Sequence, residues 1–238
     1  MSESAHLSNG LLASLPRDTM TALLPHLRAI ELPQETVLYE SGDTIKSVYF
    51  PHDGLVSLVV DLASGETIEA AMIGSDSVVG GAAAFDNNIS LNRAVAQVAG
   101  TASALGVASF CDLAQKNIAF RAKLARHEQF VLAQAQQAAA CNAIHALEAR
   151  LARWLLRCAD LLRRQDIQLT QEFLAQMLGV RRTSVSIVAN TLQQAGLIRY
   201  SRGHIRVLNL GGLKDCSCEC YQTLKSLSDR LLGLPAEI

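Results

Sequence analysis

A chain of 238 residues, half of them hydrophobic, is long for one compact domain and comfortable for two. No run approaches the roughly 18 uninterrupted apolar residues of a membrane span, and no basic segment precedes an apolar one in residues 1–15, so neither an anchor nor a secretory leader is expected. The formal charge of −1 hides an asymmetry: residues 1–110 hold four Lys or Arg against twelve Asp or Glu, whereas residues 150–206 hold ten arginines against three acids.

An acidic half joined to a basic half suggests two tasks, of which the basic one suits phosphates. Six cysteines dispersed over this length make no disulfide framework, so reduced thiols and a cytoplasmic setting are expected. The chain divides into a first domain at 1–110, a linking helix at 111–145 and a second domain at 146–238 that ends in a short helix.

Helical turns are expected near Leu11–Leu27. From about residue 30 to 110, Val- and Ile-rich segments are broken at Gly42-Asp43, Asp53-Gly54, Ser64-Gly65, Gly74-Ser75 and Gly100. Strand signals about every ten residues point to an antiparallel roll or barrel. Between Asp112 and His145 there is no Gly or Pro, and good helix formers dominate. Phe120, Leu124, His127, Val131, Gln134, Ala138, Cys141 and His145 recur at alternating spacings of four and three, a heptad seam. A helix this long has more surface than a small roll covers, so the seam is expected to join two copies of the chain in a homodimer.

The next helix carries Leu147, Leu151, Trp154, Leu155, Cys158, Leu161 and Leu162 on one face, with Arg150, Arg153, Arg157, Arg163 and Arg164 off it. Then "LTQEFLAQMLGVRRTSVSIVANTLQQAGLI" offers Thr170 as an N-cap, Ala175 as a small residue, Gly179 as a turn and Val185 as a branched apolar residue. That order is a helix-turn-helix. Gly196 ends its second helix, and "LIRY" and "HIRVLNL" read as two strands joined through Ser201-Arg202-Gly203. A helix-turn-helix followed by a basic hairpin is a winged helix. Thr170, Arg181, Arg182, Thr183, Ser184 and Ser186 are placed to meet double-stranded DNA in a groove, and Arg199, Arg202, His204 and Arg206 to meet its backbone from the wing.

These segments, together with "GSDSVVGGAAAFDNNISLNRAVAQ" and "LEARLARWLLRCADL", make the chain resemble the Crp/Fnr family of transcription regulators from about Leu11 to Leu210. The resemblance implies an α+β fold: an N-terminal antiparallel β-roll like a cyclic-nucleotide-binding domain, a long dimerisation helix and a C-terminal winged helix-turn-helix. It implies a homodimer on a two-fold operator that recruits or blocks RNA polymerase. It also places an effector pocket near Met72, Gly80, Gly81, Arg93 and Ala94, with Gln136 offered from the long helix.

Three departures follow. Members that bind cyclic AMP carry Gly-Glu and Arg-Ser where this chain has Gly80-Gly81 and Arg93-Ala94, so cyclic AMP is not expected as effector and no cofactor is assigned. Members with an oxygen-sensing iron–sulfur cluster have N-terminal cysteines, whereas the first cysteine here is Cys111. Many members read DNA with a Glu and an Arg where Thr183 and Ile187 stand, so a different operator is expected.

Cys216, Cys218 and Cys220 form C-x-C-x-C. They could hold a soft metal if a fourth ligand were near, or could be packed thiols on a small helix; the spacing is not the usual one for zinc, and no metal is assigned. No nucleophile elbow, phosphate-binding Gly-Lys-Ser loop or His-Glu-x-x-His occurs, so an enzyme is not expected. A regulatory module without DNA is the alternative, and the arginines at 181 and 182 weigh against it.

Overall fold

The computed structural model describes residues 3–85 and 88–233. Three short helices, α1 (Glu3–His6), α2 (Gly10–Ala13) and α3 (Arg17–Leu23), precede β1 (Arg28–Leu32), β2 (Val37–Tyr39), β3 (Ser47–Pro51), β4 (Leu55–Asp61), β5 (Thr67–Ile73), β6 (Arg93–Val98) and β7 (Gly100–Gly106). These strands make the expected antiparallel roll from two sheets, ordered β1-β7-β3 and β2-β6-β4-β5. At Gly42 and Gly65, which punctuate the strands, φ is 87° and 95°, a left-handed backbone that glycine adopts at least cost.

Then come α4 (Val107–Lys116), α5 (Ile118–Ile144) and α6 (Leu147–Leu162), followed by β8 (Asp166–Gln168), α7 (Gln171–Leu178), α8 (Arg182–Gln194), β9 (Ile198–Ser201), β10 (His204–Val207), α9 (Leu210–Cys216) and α10 (Cys220–Leu232). The helical stretch expected from Asp112 is therefore two helices. The Asn117 side chain accepts a hydrogen bond from the Phe120 amide at 2.9 Å and restarts the chain as α5. The C-terminal helix is likewise a pair, α9 and α10.

The middle of the β2-β6-β4-β5 sheet is buried on both faces. Val56, Ile73, Ala94 and Ala96 join Phe50, Leu105 and Phe110 inside the roll, while Leu55, Val59, Met72, Val95 and Val98 pack with Trp154, Leu155 and Leu161 of α6. Burial on both sides is why β4 and β6 read as apolar runs and not as alternations. It also makes α6 a wall shared by the two domains.

One expectation needs correction. The heptad stripe of α5 faces its own chain and is not a seam between copies. Phe120 and Leu124 sit in the roll's core, Val131 packs on that core, and Cys141 is fully buried beside Cys218 and Cys220. His127 is buried, with Nε2 accepting from the Val78 amide at 3.2 Å and Nδ1 donating to Glu128 at 3.0 Å. Gln134 is buried and accepts from the Met72 amide at 3.1 Å; Ala138 lines the same contact. His145 meets Cys220. Five of the eight, Phe120, Leu124, His127, Gln134 and Cys141, are enclosed by their own protomer and have no surface left for a second copy, while Val131, Ala138 and His145 are half-buried.

The arginines off the apolar face of α6 are largely taken up by the protein itself. Arg150 is buried and donates to the Leu178 carbonyl, and Arg157 pairs with Asp76 at 2.6 Å. Only Arg163 and Arg164, past the last apolar residue of α6, are exposed.

Candidate DNA-binding surface and effector region

The helix-turn-helix is built from α7 and α8. Thr170 caps α7, its Oγ1 accepting from the Phe173 amide at 3.2 Å. Glu172 in the first turn complements the helix dipole. Gly179 closes α7 with φ 62°, and the Val180 amide returns to the Ala175 carbonyl at 3.0 Å. Ala175 is nearly sealed, so the small residue fits the close packing there. Gly179 also rests on the roll: a Cβ at that position would lie 3.0 Å from Cγ1 of Ile68 on β5.

Helix α8 buries Val185, Ala189 and Leu192 and turns Arg182, Thr183, Ile187 and Asn190 outward. Arg181 is its N-cap, without a side-chain capping bond, and is exposed. Two guanidiniums thus stand at the end of α8 where the dipole is positive, which favours phosphate. Ser184 is half-buried. Ser186 is also half-buried, and its hydroxyl donates to Gln171 Oε1 at 2.6 Å, so it braces the two helices as well.

The wing is the sheet β8-β10-β9. Its tip is a two-residue turn in which Arg202 and Gly203 both have positive φ, 49° and 79°, the geometry that matches the strands' twist. Arg199 and Arg206 are directly opposite each other across β9 and β10, and both are exposed. Like charges so placed repel. Asp166 relieves this in part, its carboxylate 3.6 Å from Arg206, and an anion on the wing would relieve it further. His204, exposed, lies between Ser201 and Gln168 in the ladders.

The effector residues named from the sequence do not converge. Arg93 is committed at the roll's surface, where its Nε and Nη2 grip both oxygens of Asp61 at 2.8 Å and Glu40 stands 3.7 Å away. This fork holds the Asp61 carboxyl down at about 2, chiefly through the hydrogen bond from Arg93. Ala94 is sealed in the core and Gln136 is exposed. The α5 glutamine that reaches β5 is Gln134, two positions earlier and on the buried stripe. Around Met72 and Gln134 the cavity is only about 20 Å³, on the scale of a single water.

Gly80 has φ 84°. A Cβ on Gly81 would come within 2.5 Å of Glu128 Oε1, so the α5 carboxylate fills the space over that glycine. Sequence reasoning missed Glu128, and it missed Glu69, whose Oε1 accepts from Trp154 Nε1 at 3.0 Å across the two domains. The signal for Glu128 was its place beside the inward stripe; for Glu69, a lone acid in the apolar run of β5.

Residues 29–117 match the family model of the cyclic nucleotide-binding domain, and residues 149–216 that of the Crp-like helix-turn-helix domain. In fold the chain is similar to FixK2 from Bradyrhizobium japonicum, with 17% identity, 81% of this chain and 98% of that chain covered, and a TM-score of 0.69. It is similar to a transcriptional regulator of the Crp/Fnr family from Eubacterium rectale at 15% identity, with coverage of 87% and 96% and a TM-score of 0.65. The c-di-GMP-responsive global regulator CLP from Xanthomonas campestris is similar at 16% identity, with coverage of 82% and 100% and a TM-score of 0.64. No curated protein matches the chain. Among the described residues no helix is long and apolar enough to cross a membrane.

Proposed function

Because the chain belongs to the Crp/Fnr family of transcription regulators, we propose that it acts in the cytoplasm as a homodimer on a two-fold operator, reads bases with Arg182 and works without cyclic AMP. The observation that carries this reading is the exposed Arg181-Arg182-Thr183 start of α8, set beside a wing of exposed arginines. Arg182 makes a bidentate pair with a guanine edge. Arg181, Thr183, Ser184 and Ser186 divide the remaining base and phosphate contacts. Arg199, Arg202, His204 and Arg206 hold the backbone. Once seated, the dimer recruits or blocks RNA polymerase.

The dimer forms through the outer face of α5. Ala122, Gln129, Leu132, Gln136, Ala139 and Ala143 are exposed and recur at heptad intervals, and Leu132 is 58% exposed. Small side chains on that stripe let two helices approach closely.

Independence from cyclic AMP rests on charge. Its phosphate would meet an arginine already neutralised by Asp61 and a carboxylate, Glu128, over Gly81. Losing polar anchors of this kind, at about 1–3 kcal/mol each, weakens binding by orders of magnitude.

Selection of bound sites from random duplex DNA tests the reading. The expected product is a palindromic site bound with steep salt dependence; no enrichment over random sequence defeats it. Calorimetric titration with cyclic AMP is expected to show no binding at micromolar concentration, and micromolar binding coupled to tighter operator binding overturns that part.

A further inference from the structure

Where α5 ends, four ligand-type side chains meet. Cys141 lies in the last turn of α5 and His145 is the C-cap of that helix, while Cys218 and Cys220 flank Glu219 at the start of α10. Their Sγ and ring-nitrogen atoms all lie within 4.8 Å of one another. Cys141 Sγ and Cys218 Sγ are 3.6 Å apart, and Cys220 Sγ is 3.5 Å from His145 Nδ1. A tetrahedron with metal–sulfur bonds of about 2.3 Å and a metal–nitrogen bond of about 2.0 Å has edges of about 3.5–3.8 Å. The two close pairs already have that length. We infer that Cys141, His145, Cys218 and Cys220 form a closed, four-ligand site for a thiophilic divalent cation of the zinc type.

The surroundings fit that role. His145 turns Nδ1 to the cluster and Nε2 to Glu219 Oε1 at 3.2 Å. A carboxylate behind a ligand histidine fixes its tautomer and orientation, a usual outer contact of such sites. Gln137 Nε2 donates to Cys220 Sγ at 3.0 Å, a bond that favours a thiolate. Three thiolates and a dication leave one negative charge, and Arg150 and Arg153 of α6 are near enough to interact with Cys141. The Nε–H groups of both arginines are buried without a hydrogen-bond partner.

Three sulfurs and one imidazole select a soft or borderline cation over magnesium or calcium. All four vertices are protein atoms, so the site is structural: it holds α10, at the far end of the DNA-binding half, to the long helix. Binding releases the three thiol protons to solvent. Cys216 takes no part; it packs against the core of the second domain.

The test uses the reduced, metal-free full-length chain titrated with Co2+. The expected result is one ion per chain, with thiolate charge-transfer absorption and the strong visible bands of tetrahedral cobalt, abolished by added Zn2+. Cys216→Ser keeps the spectrum, Cys141→Ser and Cys220→Ser lose it, and Glu219→Gln retains it with affinity about tenfold weaker. Because a cysteine variant can fail to fold, the wild-type titration decides first: no tetrahedral spectrum from the reduced chain overturns the site. A spectrum that survives in the Cys141→Ser, Cys220→Ser double variant, or that vanishes in Cys216→Ser, overturns the ligand set.

Discussion

The arginines of α6 and those of α8 and the wing belong to the same basic stretch and meet opposite fates. Arg150 is 8% exposed and serves the carbonyl at the end of α7, while Arg157 is half-buried between Asp76 and the face of Phe130, whose ring centre is 5.7 Å away. Arg181, Arg182, Arg199, Arg202 and Arg206 are all exposed. The difference lies in what each helix packs against. Helix α6 lies between the β2-β6-β4-β5 sheet and the helix-turn-helix, so even its polar side finds protein. Helix α8 has one buried stripe only, and its other side is open. Net charge therefore says that a region is basic; the number of buried faces on each element says which of its charges a nucleic acid can meet.

The sharpest break of that comparison is Trp154→Ala. Trp154 is 1% exposed on the sandwiched helix and donates to Glu69 from Nε1. Its loss is expected to cost about 3–5 kcal/mol of folding stability, read as a large fall in the denaturant midpoint. A midpoint that hardly moves means that α6 is not a shared wall.

The two faces of α5 give the second test. Leu132→Glu on the open face is expected to leave a folded monomer, since two buried leucines in a dimer account for about 3 kcal/mol or more. Leu124→Glu, at a fully buried position, is expected to unfold the roll. Sedimentation showing an intact dimer for Leu132→Glu would exclude the outer seam.

On the open helix, Arg182→Ala is expected to weaken operator binding by about 1–3 kcal/mol and to relax preference at one position. Stability should stay within about 0.5 kcal/mol, as for other surface changes. Competition binding on a panel of operator variants, with thermal melting alongside, reads both; unchanged preference sinks the base contact.

Much of this contrast is legible in the sequence, and the unread part has a physical reason. The strand breaks at Gly42 and Gly65 and the Ala175–Gly179 turn are local: each follows from a residue's own backbone needs. The seam was misdirected because heptad spacing marks a stripe without naming what covers it. The open stripe, with its alanines and glutamines, has little hydrophobic contrast to betray it. The meeting of Cys141 and His145 with Cys218 and Cys220 spans more than seventy residues of chain, and Arg93 finds Asp61 on another strand. Such pairings depend on topology, which spacing along the chain does not encode.

The smallest effect concerns Glu69, the acid that joins the sheet to the sandwiched helix. Part of its side chain still reaches solvent, but its carboxyl end is enclosed. Burial raises that carboxyl from 4.5 to about 7, against the hydrogen bonds from Ser57 and Trp154 and the charges of Arg153 and Arg157, which pull it down. The sign follows from proton counting. Between pH 4.5 and about 7 the folded chain holds a proton that the unfolded chain has released, so this group's contribution is greatest below 4.5 and is lost as pH rises to 7. His6 and His52, both lowered chiefly by burial, act in the opposite sense, losing their contribution as pH falls below 6.5. They are common to wild type and Glu69→Gln, so the difference between the two proteins isolates Glu69. That difference, from urea midpoints at a series of pH values, is expected to shift steadily against the wild type from 4.5 to 7 and then to level off. A difference that is flat across the window would mean that the carboxyl titrates at its ordinary value, and that the enclosed contact between Glu69 and Trp154 opens in solution.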